Sequence, residues 1–414
     1  MITITASVVT LGCRLNQADA ALMTDRLQRN GYTLVEPGSA SAVDLVIINS
    51  CAVTATAVSK SRQAAVKYRK LYPDARIIVT GCAVEIDFDK WRDLAACDGA
   101  LTNVDKRSLE TMLEPDEPHF SLNEPVSGFE EHAAGRFPFR HRALVKIQEG
   151  CNNFCTYCIV PYTRGPERSR SAEEVLRECE ALAAAGIPEI VLTGVNTCAY
   201  SDSGYDLGQL VKRIAAIPGD FRIRLSSTEP KFDNLKLLDS LKECGGKVCR
   251  FLHLSLQHGS DEILRKMGRK YTAKEYAEFA AYARSLWPDI HLGTDVIVGF
   301  PGETDELFNE GVEFVKSMNF ANIHIFRYSP RPGTPAAGFP DRVPGEVAKA
   351  RYDIMAQAAE ESRKRFYASQ KGKILPVIFE EEKNGLIHGW SDNYLQVSRP
   401  SGSAQLGRIV NVEF

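Results

Sequence analysis

Apolar runs and helical spacings take turns through the first third of the chain. Residues 3–11 form one strand-like run, ending at Gly12-Cys13. Residues 16–30 carry Ala20, Leu22, Met23 and Leu27 on one helical face and stop at Gly31. The core Leu45-Val46-Ile47-Ile48 predicts a buried strand over 44–49, closing near Cys51. A basic helical stretch with Lys60, Arg62, Lys67, Arg69 and Lys70 follows. Ile77-Ile78-Val79 marks another buried strand over 76–80, closing at Gly81-Cys82. Apolar strands alternating with helices predict a parallel, doubly wound sheet.

Residues 114–142 break the pattern with Pro115, Pro118, Pro125, Gly128, Gly135 and Pro138, and predict an interdomain linker. Its end interleaves Phe137 and Phe139 with Arg136, Arg140, His141 and Arg142. That composition suits either a phosphate backbone or a solvated edge. From Ala143 a strand–helix unit repeats. The strands are expected at 143–148, 189–193, 222–226, 251–256, 291–298 and 322–328, with helices such as 172–185 and 273–285 between them. Six units predict a partial (β/α)6 barrel, whose chemistry collects at the carboxyl ends of its strands. A charged helix over 347–369 leads to short strands at 374–380, 385–390, 394–397 and 409–414, a small all-β unit. The expected domains are 1–130, 137–365 and 366–414, α/β overall.

The cysteines change the picture most. Cys151, Cys155 and Cys158 stand at Cys-x3-Cys-x2-Cys spacing on one tight loop after the first barrel strand. Three thiolates so placed suit three corners of a four-iron–four-sulfur (4Fe–4S) cluster and leave the fourth iron open. A zinc knuckle is the alternative, but it usually pairs two Cys-x2-Cys elements. Cys13, Cys51 and Cys82 each fall just past the end of a predicted strand. In a parallel sheet those ends share one edge, so three distant cysteines converge into a second ligand set. Three unrelated core cysteines are the alternative. Cys97, Cys179, Cys198, Cys244 and Cys249 show no paired spacing and read as structural.

The Cys151 loop resembles the signature of radical S-adenosylmethionine (SAM) enzymes. The segment Thr10-Leu11-Gly12-Cys13-Arg14-Leu15-Asn16-Gln17 resembles the amino-terminal motif of methylthiotransferases, most closely the MtaB-type subgroup. That subgroup usually has Lys-Val where Arg14-Leu15 stands, and Glu where Ala18-Asp19 follows. The segments after each barrel strand resemble methylthiotransferase segments in the same order, over nearly the whole chain. The resemblance implies two 4Fe–4S clusters, one on each cysteine trio, and SAM as both radical source and methyl donor. SAM bound at the open iron would yield a 5′-deoxyadenosyl radical.

The implied SAM contacts are Tyr157 beside the loop, Thr193, Gly194 and Asn196 after the second strand, and Ser226 and Glu229 after the third. Arg170, Gln257 and Asp295 complete the set. Arg164 and Arg168 suit the SAM carboxylate, an RNA phosphate or a solvated turn. His253, His258 and His291 are expected to satisfy local hydrogen bonds rather than bind metal.

The implied activity is addition of a methylthio group to carbon 2 of N6-threonylcarbamoyladenosine beside the anticodon. The implied partners are the tRNA anticodon stem-loop and an electron-donor protein. Alternatives are isopentenyladenosine, a ribosomal-protein aspartate, or a non-catalytic RNA-binding iron–sulfur sensor. The last β unit resembles a TRAM domain, an RNA-binding β-barrel, with few basic residues after Lys373. A packing cap for the barrel is its other reading. Net charge is −3, which by itself argues neither for nor against nucleic acid. No basic-then-apolar leader and no membrane-length apolar run stand in the chain, and eleven cysteines do not make a disulfide scaffold of this size. A reducing cytoplasm and a monomer are the expectation.

Overall fold

The computed structural model describes residues 4–103, 106, 120–121, 141–229 and 235–414. Most of the expected linker, including Arg136, Phe137, Phe139 and Arg140, lies outside the described residues. The chain divides into two compact units. The first comprises Met1–Phe139, Gln148–Arg170 and Ser329–Ala337, and the second Arg140–Ile147, Ser171–Tyr328 and Gly338–Phe414.

The first unit is built on a parallel sheet. Its elements are β1 (Thr5–Thr10), α1 (Arg14–Arg29), β2 (Thr33–Leu34), β3 (Leu45–Ser50), α2 (Ala55–Leu71) and β4 (Arg76–Gly81). There follow α3 (Cys82–Ile86), α4 (Phe88–Arg92), β5 (Gly99–Leu101) and β6 (Phe120–Ser121). The strand order is β2-β1-β3-β4-β5-β6. Every residue of β3 is buried, as expected of a central strand covered on both faces. Helix α2 starts where the Thr54 hydroxyl accepts from the Ala57 amide at 3.1 Å. Ile47, Ile48, Ile77 and Ile78 are fully buried, each contributing about 1.5–3 kcal/mol of apolar burial.

The barrel strands of the second unit are β7 (Arg142–Lys146), β10 (Glu189–Thr193), β13 (Arg222–Leu225), β15 (Phe251–Leu254), β16 (His291–Val298) and β17 (Asn322–Arg327). Between β7 and β10 the chain makes β8 (Gln148–Glu149), α5 (Val160–Arg164) and β9 (Arg168–Ser169), which belong to the first unit, and then α6 (Ala172–Ala184). Hairpin β11 (Ser201–Asp202) and β12 (Tyr205–Asp206) precedes α7 (Leu207–Ala215). Short β14 (Ser227–Thr228) and α8 (Leu235–Glu243) precede β15. Helices α9 (Asp261–Lys266), α10 (Ala273–Leu286) and α11 (Asp305–Ser317) complete the barrel. All its pairings are parallel, in two runs, β7-β10-β13 and β14-β15-β16-β17. A single parallel bridge from Ile223 to Val248 adds to the first run. These strands fall within two residues of the positions that the apolar pattern predicts, because each buried run ends at a polar or glycine exit.

Helix α12 (Gly345–Gln370) leads to β18 (Ile374–Lys383), β19 (Leu386–Ser391), β20 (Gln396–Pro400) and β21 (Ile409–Glu413). They form one antiparallel sheet in the order β20-β19-β18-β21, a half-barrel that makes up the small all-β unit expected. The third strand starts two residues late, because Tyr394 takes a left-handed backbone (φ 60°) in a turn that the Ser391 and Leu395 amides close.

This sheet packs on the amino ends of the barrel strands. Arg222 donates to the carbonyls of Pro376 (2.8 Å) and Trp390 (2.9 Å), and Arg224 to those of Asp392 (3.0 Å) and Ser391 (3.1 Å). Both guanidiniums also hold Glu189, at 2.6 and 2.8 Å. Burial alone would raise the Glu189 pKa; the two guanidinium charges outweigh it and hold the carboxyl well below its usual range. At the start of β16, His291 bonds the Asn393 carbonyl at 3.0 Å. Burial pushes its pKa down to about 3, and the Arg224 charge acts the same way. The folded value lies below the unfolded 6.5. The stability tied to neutral His291 is therefore complete above pH 6.5 and lost as pH falls toward 3. From pH 7 to pH 5 the parent should lose about 2 kcal/mol that a His291→Gln chain does not lose, measured by urea titration of both.

Candidate active site

Order β1-β3-β4 makes the three cysteine-bearing strands adjacent. Thr10 pairs with Asn49, Asn49 with Thr80 and Ser50 with Gly81, so Cys51 and Cys82 leave the sheet side by side. Cys13 caps the amino end of α1, and Cys82 opens α3. Gly12 takes a φ of +93°, and a Cβ there would sit 2.5 Å from the Cys51 sulfur. Only glycine lets the β1 exit pass this close. Asn16 fastens the edge: its amide donates to the carbonyls of Leu11 and Ser50, both at 2.8 Å. The Asn49 amide returns a bond to the Asn16 carbonyl at 2.7 Å. Burial above all, with the nearby Cys13 and Cys82 sulfurs, pushes the Cys51 thiol up to about 11. A thiol in that setting ionises at neutral pH only beside a strong positive charge, which a coordinated metal supplies.

The Cys151 loop belongs to the same compact unit, so all six cysteines of the two sets do. Strand β8 pairs antiparallel with β9 and closes the loop at its base. The Cys151 amide donates to Gly165 (3.1 Å), and the Cys158 amide to the Cys155 carbonyl (2.9 Å). Cys151 and Cys155 are buried; Cys158 is half-buried. Tyr157 is half-buried beside Cys158. At the loop's tip Phe154 and Tyr162, both more than half exposed, meet edge-to-face at 5.9 Å.

Arg164 corrects the sequence reading. It is neither a solvated turn nor free to meet SAM or RNA. Its guanidinium is buried and donates to Glu149 (2.7 Å), Asn16 (2.6 Å) and Asp19 (3.0 Å). Burial acts to lower its pKa, but the Cys82 sulfur and the Asp19 and Glu149 carboxylates outweigh this and raise it. Arg164 thus fixes the Cys151 loop to the helix that begins at Cys13.

Around it lie residues that periodicity did not single out. Lys106 donates to Asp19 (2.5 Å) and Asn103 (2.8 Å). Asn103 donates to the Thr163 carbonyl (2.8 Å) and toward the Cys82 sulfur (3.7 Å). Arg331 is buried near enough to Cys51 for their charges to interact, and its Nε has no hydrogen-bond partner. Polar residues in loops carry no period, so nothing in the pattern separated these from their neighbours.

In the second unit, Thr193 ends β10 and Gly194 and Asn196 follow it, Ser226 and Glu229 follow β13, and Gln257 follows β15. The hydroxyls of Thr193 and Ser226 are buried with no partner, as expected of groups aimed at a polar ligand. Asn196 is buried and accepts from the Cys198 amide at 3.2 Å. Glu229 pairs with Arg269 at 3.5 Å. Gln257 has a left-handed backbone (φ 71°) and bridges β16 through the Asp295 carbonyl (2.8 Å). Asp295 lies between His253 (3.0 Å) and His324 (3.2 Å), and these two hydrogen bonds hold its pKa well below normal against its burial. His258 bonds Glu303 at 3.1 Å, so the histidines satisfy local partners. Arg170 is buried at the end of the loop segment in the first unit.

The donor sets fit clusters better than zinc. Among the described residues, the one ligand group whose donor atoms all lie within 4.8 Å of one another is His253, Asp295 and His324. A tetrahedral zinc with bonds of about 2.3 Å would bring its sulfurs within about 4 Å. Neither cysteine trio is that tight. A cubane, with its metals spread over separate corners, takes thiolates further apart. No helix among the described residues is long and apolar enough to cross a membrane.

Comparison with known proteins agrees with this geometry. Residues 145–315 match the Radical SAM superfamily, and residues 5–100 match an uncharacterized protein family, UPF0004. Threonylcarbamoyladenosine tRNA methylthiotransferase MtaB of Thermotoga maritima is 34% identical over 95% of this chain and 90% of its own. The Bacillus subtilis protein of the same name is 33% identical over 99% and 93%. The tRNA-2-methylthio-N(6)-dimethylallyladenosine synthase of Ehrlichia canis is 35% identical over 90% and 87%. Among solved structures, the radical SAM methyltransferase TsrM of Kitasatospora setae superposes with a TM-score of 0.58 at 17% identity, over 81% of this chain and 74% of that one, a likeness of fold. The chain belongs to the tRNA methylthiotransferase family of radical SAM enzymes.

Proposed function

We propose that this enzyme adds a methylthio group to carbon 2 of N6-threonylcarbamoyladenosine beside the anticodon of tRNA. The observation that carries the reading is the meeting of Cys13, Cys51 and Cys82 at one sheet edge, in the compact unit that also holds Cys151, Cys155 and Cys158. One trio suits radical generation and the other sulfur delivery. Relatives named for threonylcarbamoyladenosine span 95–99% of the chain and those named for dimethylallyladenosine 90–98%, so coverage does not choose the base; the likeness of residues 10–17 to the MtaB-type motif favours threonylcarbamoyladenosine.

A 4Fe–4S cluster with SAM supplies a radical able to act on an unactivated aromatic C–H bond, which no side-chain acid or base can deprotonate near neutral pH. The residues do the rest. Cys151, Cys155 and Cys158 hold one cluster and leave a corner open; Cys13, Cys51 and Cys82 hold the other. Thr193 and Ser226 offer hydroxyls to SAM from the carboxyl ends of β10 and β13, beside Gly194, Asn196 and Glu229. Tyr157, Arg170, Gln257 and Asp295 complete the proposed SAM contacts. Arg164 keeps the loop and the Cys13 helix in register, so that the two trios stay at a fixed separation. An anticodon-loop base can leave its stack and enter a recessed site. An external one-electron donor, a monomeric state and the cytoplasm complete the reading. Nucleoside mass spectrometry of tRNA from a deletion strain tests it: loss of 2-methylthio-N6-threonylcarbamoyladenosine alone is expected. Loss of the dimethylallyl counterpart instead would assign the other base, and no change in tRNA would refute the reading.

A further inference from the structure

Helix α2 carries five basic residues, Lys60, Arg62, Lys67, Arg69 and Lys70, and no acidic one, a local charge of +5 in a chain of net −3. Ser61, Ala65 and Tyr68 turn inward. Arg69 is used by the fold: it pairs with Asp98 and donates to the carbonyls of Pro73 (2.9 Å) and Ala75 (2.8 Å). The other four are differently placed. Lys60, Lys67 and Lys70 are exposed, and Arg62 lies half-buried over the Trp91 ring at 5.8 Å. Among the described residues none of these four is in an ion pair. At 1.5 Å and about 100° per residue, Lys60, Lys67 and Lys70 share one face over about 15 Å, with Arg62 on its flank, enough to meet more than one phosphate of a strand. The helix begins four residues after Cys51, and Lys60 is its sixth residue.

The C-terminal sheet offers no such face. Residues 374–414 hold three basic residues, Lys383, Arg399 and Arg408, against five acidic ones, a net charge of −2. The Arg399 guanidinium is turned onto the backbone carbonyls of Ser398 and Glu413. The sheet also covers the amino ends of the barrel strands, where Arg222 and Arg224 bind it, while Thr193 and Ser226 sit at the carboxyl ends.

We infer that the exposed face of α2 is a phosphate-gripping surface for the tRNA, a role the C-terminal sheet does not fill. This rests on the reading of the chain as a tRNA-modifying enzyme and adds where the RNA is held. Charge selects the partner. A protein partner is normally anchored by an apolar or aromatic centre, and this face presents Val66 and Leu71 without an exposed aromatic ring among its described residues. A phosphate backbone needs only cations in a row.

The test is binding of a tRNA transcript by the full-length protein across a range of monovalent salt. Four cations, each contributing about 0.7–0.9 to the salt slope, predict that the slope falls by about 3 in a Lys60→Ala/Arg62→Ala/Lys67→Ala/Lys70→Ala chain. Affinity at low salt should drop at least about tenfold. A Lys60→Arg/Lys67→Arg/Lys70→Arg chain should keep the parent slope, which separates charge from folding. A Lys383→Ala/Arg399→Ala/Arg408→Ala chain should also keep it. Parental slope and affinity in the alanine chain would overturn the inference. So would unchanged RNA binding with lost electron uptake from a reduced, acidic one-electron carrier protein, which would assign the face to a protein partner. A parent that binds no tRNA would instead sink the functional reading itself.

Discussion

A Cys155→Ala chain is expected to lose reductive SAM cleavage by more than about 100-fold, because even residues one shell behind a metal ligand cost 10–100-fold when removed. Cys155 is buried at the centre of the loop, and its carbonyl accepts from the Cys158 amide, so its side chain has no surface role to confuse the result. A Cys51→Ala chain is the matched control. Cys51 closes β3 and lies in the other trio, so this chain should still form 5′-deoxyadenosine but make no methylthiolated nucleoside. The pair of results separates the two sets by product rather than by overall activity. Parental 5′-deoxyadenosine formation by Cys155→Ala would contradict the assignment of the loop, and full nucleoside product from Cys51→Ala would contradict the assignment of the sheet edge.

The second large effect is structural. Arg164→Met should destabilise the protein by about 3–5 kcal/mol, the usual cost of removing one partner from a buried ion pair. The change strips Glu149 and Asp19 of a guanidinium that touches both within 3.0 Å, and takes a bond from Asn16. Lys106 still holds Asp19, and Arg168 still lies 3.6 Å from Glu149, so the loss should fall toward the lower end. Arg164→Lys should recover little, because a single ammonium cannot span three acceptors on two segments. Urea titration of the three chains gives the numbers. Equal midpoints for parent and Arg164→Met would show that the guanidinium holds nothing.

What the sequence made legible follows from periodicity. The runs Leu45-Val46-Ile47-Ile48 and Ile77-Ile78-Val79 are apolar on both faces, which only a covered parallel strand tolerates, and that alone placed Cys51 and Cys82 at neighbouring exits. The six barrel strands were readable for the same reason. Arg164 was not, because its acceptors Asp19 and Glu149 are 145 and 15 residues away and no local spacing links them. The basic cluster after Cys158 therefore looked like a ligand contact. The Arg269 partner of Glu229 was hidden in the same way, since it belongs to a later unit of the barrel. The four short strands of the C-terminal unit were readable from the turns between them, but their order was not: it depends on edge pairing, which alternation of side chains does not encode, and β20 and β21 stay unpaired with each other.

The account stands on two separate cysteine trios, each holding its own cluster. Iron and sulfide analysis after anaerobic reconstitution tests that most directly. About eight irons and eight sulfides per chain are expected, falling to about four of each in a Cys13→Ala/Cys51→Ala/Cys82→Ala chain. About four irons in the parent itself, or zinc in place of iron, would contradict it.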